Sequence, residues 1–369
     1  MAVPTFIFAG GGTGGHLYPA LAVAQILRQS RPEARIIFAC SDRDIDRRIL
    51  AASGYEMIPQ PVRPMPRSLR GWGAFAKGLL AGRKLARELL ERNRPAAVFG
   101  LGGFAAFPVV RAARAGGIPQ CLLSIDAVAG LANRSLAKYV DVIFTQFERT
   151  AADYGRHAGK ARQVGCPVRP SLLSGDIDEA RRLWGLHSGR KTLVIVPGSL
   201  GAATINDAVV RLKGELDGLG GQWQLLHVTG PGKLQDLRQA YSAAGIGATV
   251  LEFCERMDLA YAVADLVLCR AGASTIGELY AVGKPAVLMP YPFHRDQHQR
   301  HNAQEMVSAG AAELVTDLKD AGGNAQALRT SLLAIMADQA RLDRMRQAAE
   351  GLARPDAATK IADWLLSRA

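Results

Sequence analysis

The sequence predicts an α/β fold of two doubly wound, Rossmann-like halves, and three observations predict it. Short apolar runs rich in β-branched and aromatic residues alternate with amphipathic helical segments along all 369 residues. The alternation pauses at the Pro-rich stretch Gly165-Cys166-Pro167-Val168-Arg169-Pro170 and then restarts. In both halves, glycine turns follow the strand ends, where open parallel sheets collect ligands. The length suits two domains with separate cores, read as 1–165 and 166–350, with a C-terminal helix at about 354–369 folding back on the first.

Strands of the first half are expected at 5–9, 34–39, 56–59, 96–99, 120–124, 141–144 and 161–164. Apolar residues at helical spacing place amphipathic helices between them, such as Ala20–Gln29 and Ala74–Glu91. Strands of the second half are expected at 192–196, 223–228, 248–251, 266–269, 285–289 and 311–314, and Ala357–Ser367 carries the apolar stripe of a final helix. The 39 glycines and 49% apolar content fit many tight strand-to-helix turns.

The most informative turn is the first, Gly10-Gly11-Gly12-Thr13-Gly14-Gly15-His16. Residues without a Cβ let the chain turn sharply after the strand and bring N–H groups close to an anion. The spacing Gly10-x-Gly12-x-x-Gly15 is that of nucleotide-binding turns, and Asp42 stands where a dinucleotide site holds its ribose. His16 fits such a site less well, since an imidazole at a helix start facing a bound group suits acid/base or hydroxyl contacts. Asp42, Asp44 and Asp46 lie among arginines and read as paired or solvated charges.

A net charge of +12 points to an anionic partner: nucleic acid, an acidic membrane surface or a phosphorylated substrate. No RNA-binding or helix-turn-helix pattern is visible, so nucleic acid is not expected. Arg67, Arg70, Lys77 and Arg83 interleave with Trp72, Phe75, Leu79 and Leu80, a mixture suited to anionic headgroups or, alternatively, to a solvated basic helix whose apolar residues face the core. No apolar run approaches the ~18 residues of a membrane span, no leader segment is visible, and the five scattered cysteines read as reduced thiols rather than disulfides or a metal site.

In the second half, Gly198-Ser199 and Gly272-Ala273-Ser274-Thr275 offer small residues, hydroxyls and N–H groups at helix starts, as an anion needs. Glu278 follows one turn on and could accept the two hydroxyls of a ribose, or stand as an ordinary acidic residue near a helix start. The loop 290–303 concentrates amides and histidines, a surface suited to sugar hydroxyls. Its His294, His298 and His301 have helical spacing, but no carboxylate or cysteine completes a metal set, and none is expected.

Ordered along nearly the whole chain, the runs from Gly11 to Pro19, Gly100 to Phe104, Ala129 to Arg134, Val164 to Arg169, Gly198 to Ala202, Arg270 to Glu278 and Asp296 to Asn302 resemble the MurG family of glycosyltransferases. The resemblance implies a GT-B architecture, two Rossmann-like domains facing an interdomain cleft. It implies inverting transfer of N-acetylglucosamine (GlcNAc) from UDP-GlcNAc to the muramyl C4 hydroxyl of lipid I, undecaprenyl-pyrophosphoryl-MurNAc-pentapeptide. The product is lipid II, used in peptidoglycan synthesis, and no cofactor is implied.

Carried over position by position, Arg169 and the backbone near Cys254 would face the uracil, Glu278 the ribose, and Ser199, Ser274 and Thr275 the diphosphate. The Ala273 amide and Gln299 would meet the GlcNAc hydroxyls, while His298 stands where the family has a Gln that helps hold the sugar and Pro197 where it has a Gly in the phosphate turn. Thr13, Gly14, Gly15, Gly102 and Gly103 would hold the acceptor pyrophosphate, with His16 as general base. The segment from Arg67 to Leu80 falls where the family places a patch on the cytoplasmic face of the bacterial membrane, implying a peripheral protein.

One departure stands out. Where the family reads His-Glu-Gln-Asn before the Ala-Gly-Leu-Ala-Asn run, this chain has Leu123-Ser124-Ile125-Asp126. Either Asp126 takes over part of the work as base or sugar ligand, or the substrate differs, or activity is reduced. A related GT-B enzyme with another acceptor, a UDP-GlcNAc epimerase, or an impaired UDP-sugar-binding scaffold are the alternatives. The apolar residues alone would fit a better packed strand 120–125.

Overall fold

The computed structural model describes residues 3–11, 14–63, 66, 71–198, 201–242, 244–293 and 297–369. It divides into two compact units, Met1–Arg169 with Asp356–Ala369, and Pro170–Pro355.

The first unit is built on β1 (Thr5–Gly10), β2 (Arg35–Ser41), β3 (Glu56–Gln60), β4 (Ala97–Gly102), β5 (Gln120–Ser124), β6 (Val142–Thr145) and β7 (Ala161–Gln163). They form one sheet in the order β3-β2-β1-β4-β5-β6-β7, and every pairing is parallel. A parallel sheet is covered on both faces, which is why its strands read as unbroken apolar runs rather than alternating ones. Phe8 in β1 shows this, with its ring 5.0 Å from those of Phe38 and Phe99 on the flanking strands. The strand order reverses between β1 and β4, the point beyond whose carboxyl ends an open sheet leaves a crevice.

The helix after β1 starts at Gly14, inside the glycine run, and continues to Ser30 through Pro19. The sequence expectation of a start at Ala20 is corrected: Pro19 withholds an N–H from the helix but does not end it. This helix buries Leu17, Ala20, Val23, Ala24 and Leu27 completely, and the C-terminal helix Ala357–Leu366 packs on it with Ile361, Ala362 and Leu365. Cover on two sides explains a helix that is apolar nearly all round.

The second unit repeats the plan with β8 (Lys191–Val196), β9 (Trp223–Val228), β10 (Ala248–Leu251), β11 (Leu266–Cys269), β12 (Ala286–Leu288) and β13 (Ala312–Leu314), parallel in the order β10-β9-β8-β11-β12-β13. Its switch point lies between β8 and β11, whose ends lead into Pro197-Gly198 and Arg270-Ala271-Gly272. All five cysteines are buried with free thiols. Among the described residues no helix is long and apolar enough to cross a membrane.

Candidate functional site

At the switch point of the first sheet two glycine turns meet. Gly10 and Gly11 at the end of β1, and Gly102 and Gly103 at the end of β4, all have positive φ, between 73° and 143°. A Cβ on Gly10 would sit 2.8 Å from the Gly102 carbonyl oxygen, and one on Gly102 would sit 2.8 Å from Asn133 Oδ1. Only glycine therefore fits this close crossing of two backbones. Asn133 Nδ2 donates to the Leu123 carbonyl at 3.1 Å, tying β5 to the same turn. Asn133 was not singled out from the sequence, although it closes the Ala-Gly-Leu-Ala-Asn run.

His16 stands in the first turn of Gly14–Ser30, its Cε1 3.9 Å from where a Cβ on Gly103 would lie. Burial lowers the basicity of its imidazole below the ordinary value, and the nearby charges of Asp126 and Asp46 partly oppose this. The ring is thus neutral near pH 7, in the form that accepts a proton. The loop carrying Asp126 is fastened from behind: Thr150 Oγ1 lies 3.2 Å from the carbonyl oxygens of both Asp126 and Ala127, and the Ala129 N–H donates to Asp153 Oδ2 at 2.7 Å. In the departing segment Leu123, Ser124 and Ile125 are buried, so Asp126 is its partly exposed polar residue. Gly14 and Gly15 open the helix beside His16, while Gly12 and Thr13 lie outside the described residues.

Asp46 corrects the reading of the acidic cluster as paired or solvated. Asp42 does pair with Arg47 at the surface, but Asp46 is fully buried and accepts a hydrogen bond from Ser41 Oγ at 2.5 Å. It shares the inward face of helix Asp44–Ser53 with Leu50, four residues on, and that spacing was the available clue.

In the second unit, helix Ala273–Val282 begins directly after β11, with Gly272 extended at its N-cap (ψ 146°). The first N–H groups of a helix have no intrahelical acceptor and favour an anion, and Ala273, Ser274 and Thr275 supply them here. Gly198 has φ 107° and its carbonyl accepts the Gly201 N–H at 2.9 Å, while Ser199 lies outside the described residues. Glu278 is partly buried, and the hydroxyl of fully buried Tyr261 donates to its Oε2 at 2.9 Å. Burial, and then the Glu278 charge, push the Tyr261 phenol well up, so Tyr261 stays a donor and fixes the carboxylate. Cys254 is buried, its thiol raised by burial to about 11.

Gln299 clasps two loops: its Oε1 accepts from the Ala271 N–H at 3.2 Å and the Tyr291 N–H at 2.9 Å. A ligand would therefore meet its NH2 group. His298 begins helix His298–Ser308, His294 lies outside the described residues, and among those described no three His, Cys, Asp or Glu side chains gather to hold a metal. Arg169, which closes the first segment of the first unit, places its guanidinium 5.9 Å from the ring centre of Tyr18.

Arg270 and Asp317 form a buried pair that sequence reading missed. Arg270 Nη1 donates to Asp317 Oδ2 at 2.8 Å and to the Met289 and Pro290 carbonyls at 2.9 and 3.2 Å, and Nη2 donates to Thr204 Oγ1 at 2.8 Å. The clue was a charged residue ending the apolar strand β11.

On the basic helix Trp72–Asn93, the buried stripe is Gly78, Gly82, Ala86, Leu89 and Leu90. A Cβ on Gly78 would meet the Pro61 carbonyl oxygen at 2.7 Å and one on Gly82 the Val62 side chain at 2.8 Å, so in the first half of the helix only small residues fit the inward face. Trp72 is 45% and Leu80 67% exposed, Lys77 is exposed, and Phe75 and Leu79 are partly buried. The expectation that these apolar residues face the core thus fails for Trp72 and Leu80. Arg67 and Arg70 lie outside the described residues.

Two parallel α/β units of Rossmann order, each with glycine turns at its switch point, define a glycosyltransferase of the GT-B class once the comparisons are added. Residues 6–145 match the glycosyltransferase family 28 N-terminal domain, and 192–361 its C-terminal domain. Curated relatives bear the name UDP-N-acetylglucosamine–N-acetylmuramyl-(pentapeptide) pyrophosphoryl-undecaprenol N-acetylglucosamine transferase. That from Thermodesulfovibrio yellowstonii is 36% identical, covering 98% of this chain and 99% of its own. That from Alkalilimnicola ehrlichii is 38% identical over the full length of both. The crystal structure of Acinetobacter baumannii MurG superposes with a TM-score of 0.78 at 26% identity, covering 99% of each chain. The UDP-GlcNAc 2-epimerase of Neisseria meningitidis, at 14% identity and TM-score 0.66, shares the fold. The chain belongs to the MurG family of N-acetylglucosaminyltransferases.

Proposed function

We propose that this protein transfers GlcNAc from UDP-GlcNAc to the C4 hydroxyl of the muramyl sugar of lipid I with inversion, yielding lipid II. The observation that carries the reading is the full-length match to the family at 36% identity or more, with glycine turns at both switch points. In this reading the second unit holds the donor: Glu278 takes the ribose hydroxyls, and the start of helix Ala273–Val282 takes the diphosphate and the charge that develops on the leaving UDP. Gln299, with its carbonyl already engaged, gives its NH2 group to a sugar hydroxyl. The first unit holds the acceptor pyrophosphate at Gly14, Gly15, Gly102 and Gly103, and His16 removes the C4 hydroxyl proton as that oxygen attacks the anomeric carbon. Asp126 stands by His16 as a sugar ligand or a support for the base.

Purified protein given UDP-GlcNAc and a short-chain lipid I analogue should release UDP well above an acceptor-free control. UDP release equal to the control would end the lipid I reading, and UDP-GlcNAc binding with no acceptor turned over would favour the scaffold alternative. Replacing Glu278 with Ala should raise the dissociation constant for UDP-GlcNAc by about 10- to 100-fold, the worth of hydrogen bonds to a charged group, as read by calorimetry. An unchanged affinity would remove Glu278 from the ribose.

We propose also that the exposed face of helix Trp72–Asn93 rests on the anionic cytoplasmic surface of the cell membrane. Trp72 and Leu80 supply apolar contact, and Lys77, Arg83, Lys84 and Arg87 the charge. The double variant Trp72→Ser/Leu80→Ser should lose several-fold in binding to vesicles containing phosphatidylglycerol while retaining UDP-GlcNAc binding. Equal vesicle binding by both proteins would leave this face merely solvated.

A further inference from the structure

We infer that Asp46 is a positioning residue for the transfer reaction: a buried carboxylate packed behind the first glycine turn that acts through His16. The inference rests on the reading of His16 as general base.

The geometry places the carboxylate directly against the turn. A Cβ added to Gly11 would come within 2.8 Å of Asp46 Oδ2 and 3.3 Å of Cys40 Cβ. The Gly11 carbonyl oxygen in turn lies 3.4 Å from the Cβ position of Gly103, which is 3.9 Å from His16 Cε1. Asp46 thus lies against Gly11 and His16 near Gly103, two glycines whose backbones meet in the same pair of turns. Asp46 is fully buried and is held from β2 by Ser41 Oγ at 2.5 Å. A buried carboxylate is costly to the fold, and its place under a functional turn gives that cost a use. Its neighbour Arg47 is taken up by exposed Asp42, and Arg43 lies over the Phe104 ring.

The titratable groups around this site agree. Burial pulls His16 down, while Asp126, from the loop after β5, and Asp46, from helix Asp44–Ser53, push it up. The Cys40 thiol in β2 is raised by burial and by Asp46. A partly buried base gains from an adjacent negative charge, because burial weakens it as a proton acceptor and does not stabilise the imidazolium formed. Asp46 supplies that charge from the protein side, where it cannot touch substrate.

The test is a titration of the His16 imidazole by NMR in the substrate-free full chain, together with the pH profile of kcat/KM. In Asp46→Asn the His16 midpoint and the acid limb of kcat/KM should both move to lower pH, and kcat should fall about 10-fold. KM for UDP-GlcNAc should stay within about 2-fold, and Asp46→Glu should recover part of the loss. Asp46→Ser, smaller and also uncharged, replaces the Asn variant if that does not fold. A folded uncharged variant whose His16 midpoint does not move overturns the inference, and so does failure of both variants to fold, which would make Asp46 purely structural. The two readings separate cleanly: full turnover in His16→Ala would defeat His16 as base whatever the Asp46 variants do. An inactive His16→Ala with an unshifted Asp46→Asn defeats this inference alone.

Discussion

His16→Ala should lose about 10²- to 10⁴-fold in kcat, the usual contribution of a general base, with UDP-GlcNAc affinity unchanged because the groups proposed to take the donor's ribose, diphosphate and sugar belong to the second unit. The base form must be present for turnover. Burial lowers the His16 imidazole below its ordinary 6.5, so wild-type kcat/KM should hold at neutral pH and fall only as pH drops below about 6.5. If Asp126 were the base instead, removing the imidazole would leave a substantial rate. Steady-state kinetics of UDP release across pH 4 to 9 separates these outcomes, and turnover of the Ala variant at the wild-type rate would strike His16 from the mechanism.

The two-sheet architecture was legible because parallel strands covered on both faces leave unbroken apolar runs, as in Phe6-Ile7-Phe8-Ala9 and Leu193-Val194-Ile195. The glycine turns were legible too, since positive φ and close backbone crossings demand that residue type. What stayed hidden depends on contacts distant in sequence. Nothing local shows that the loop at Asp126 returns to His16, 110 residues earlier, because strand order in the sheet makes that neighbourhood. Asp46 was misread because a carboxylate among arginines is ordinarily solvated; its burial follows from sharing a helix face with Leu50. The exposure of Trp72 and Leu80 inverts the usual expectation, because Gly78 and Gly82 take the inward stripe where Pro61, Val62 and Pro108 come close.

Arg270→Met should destabilise the second unit by about 3–5 kcal/mol, the cost of leaving one member of a buried ion pair uncompensated. Burial alone would push the Asp317 carboxyl up, but hydrogen bonds from Thr204, Asn324, the Lys319 amide and Arg270 outweigh it and hold it below the usual carboxylate value. Without the guanidinium that balance weakens and Asp317, 6% exposed, keeps a charge with fewer donors. The effect reaches the proposed donor site, since Arg270 also holds the Met289 and Pro290 carbonyls, next to the Tyr291 N–H that Gln299 grips. UDP-GlcNAc affinity should therefore fall together with stability. The double variant Arg270→Met/Asp317→Asn removes the stranded charge and should recover part of the stability, but not the affinity, because the loop remains unclasped. Urea unfolding followed by tryptophan fluorescence, using Trp223 in the core of this unit, measures the first quantity and calorimetry the second. A single variant that unfolds at the wild-type urea concentration would show that water or a rearranged neighbour replaces the guanidinium, and that the pair does not hold the loop.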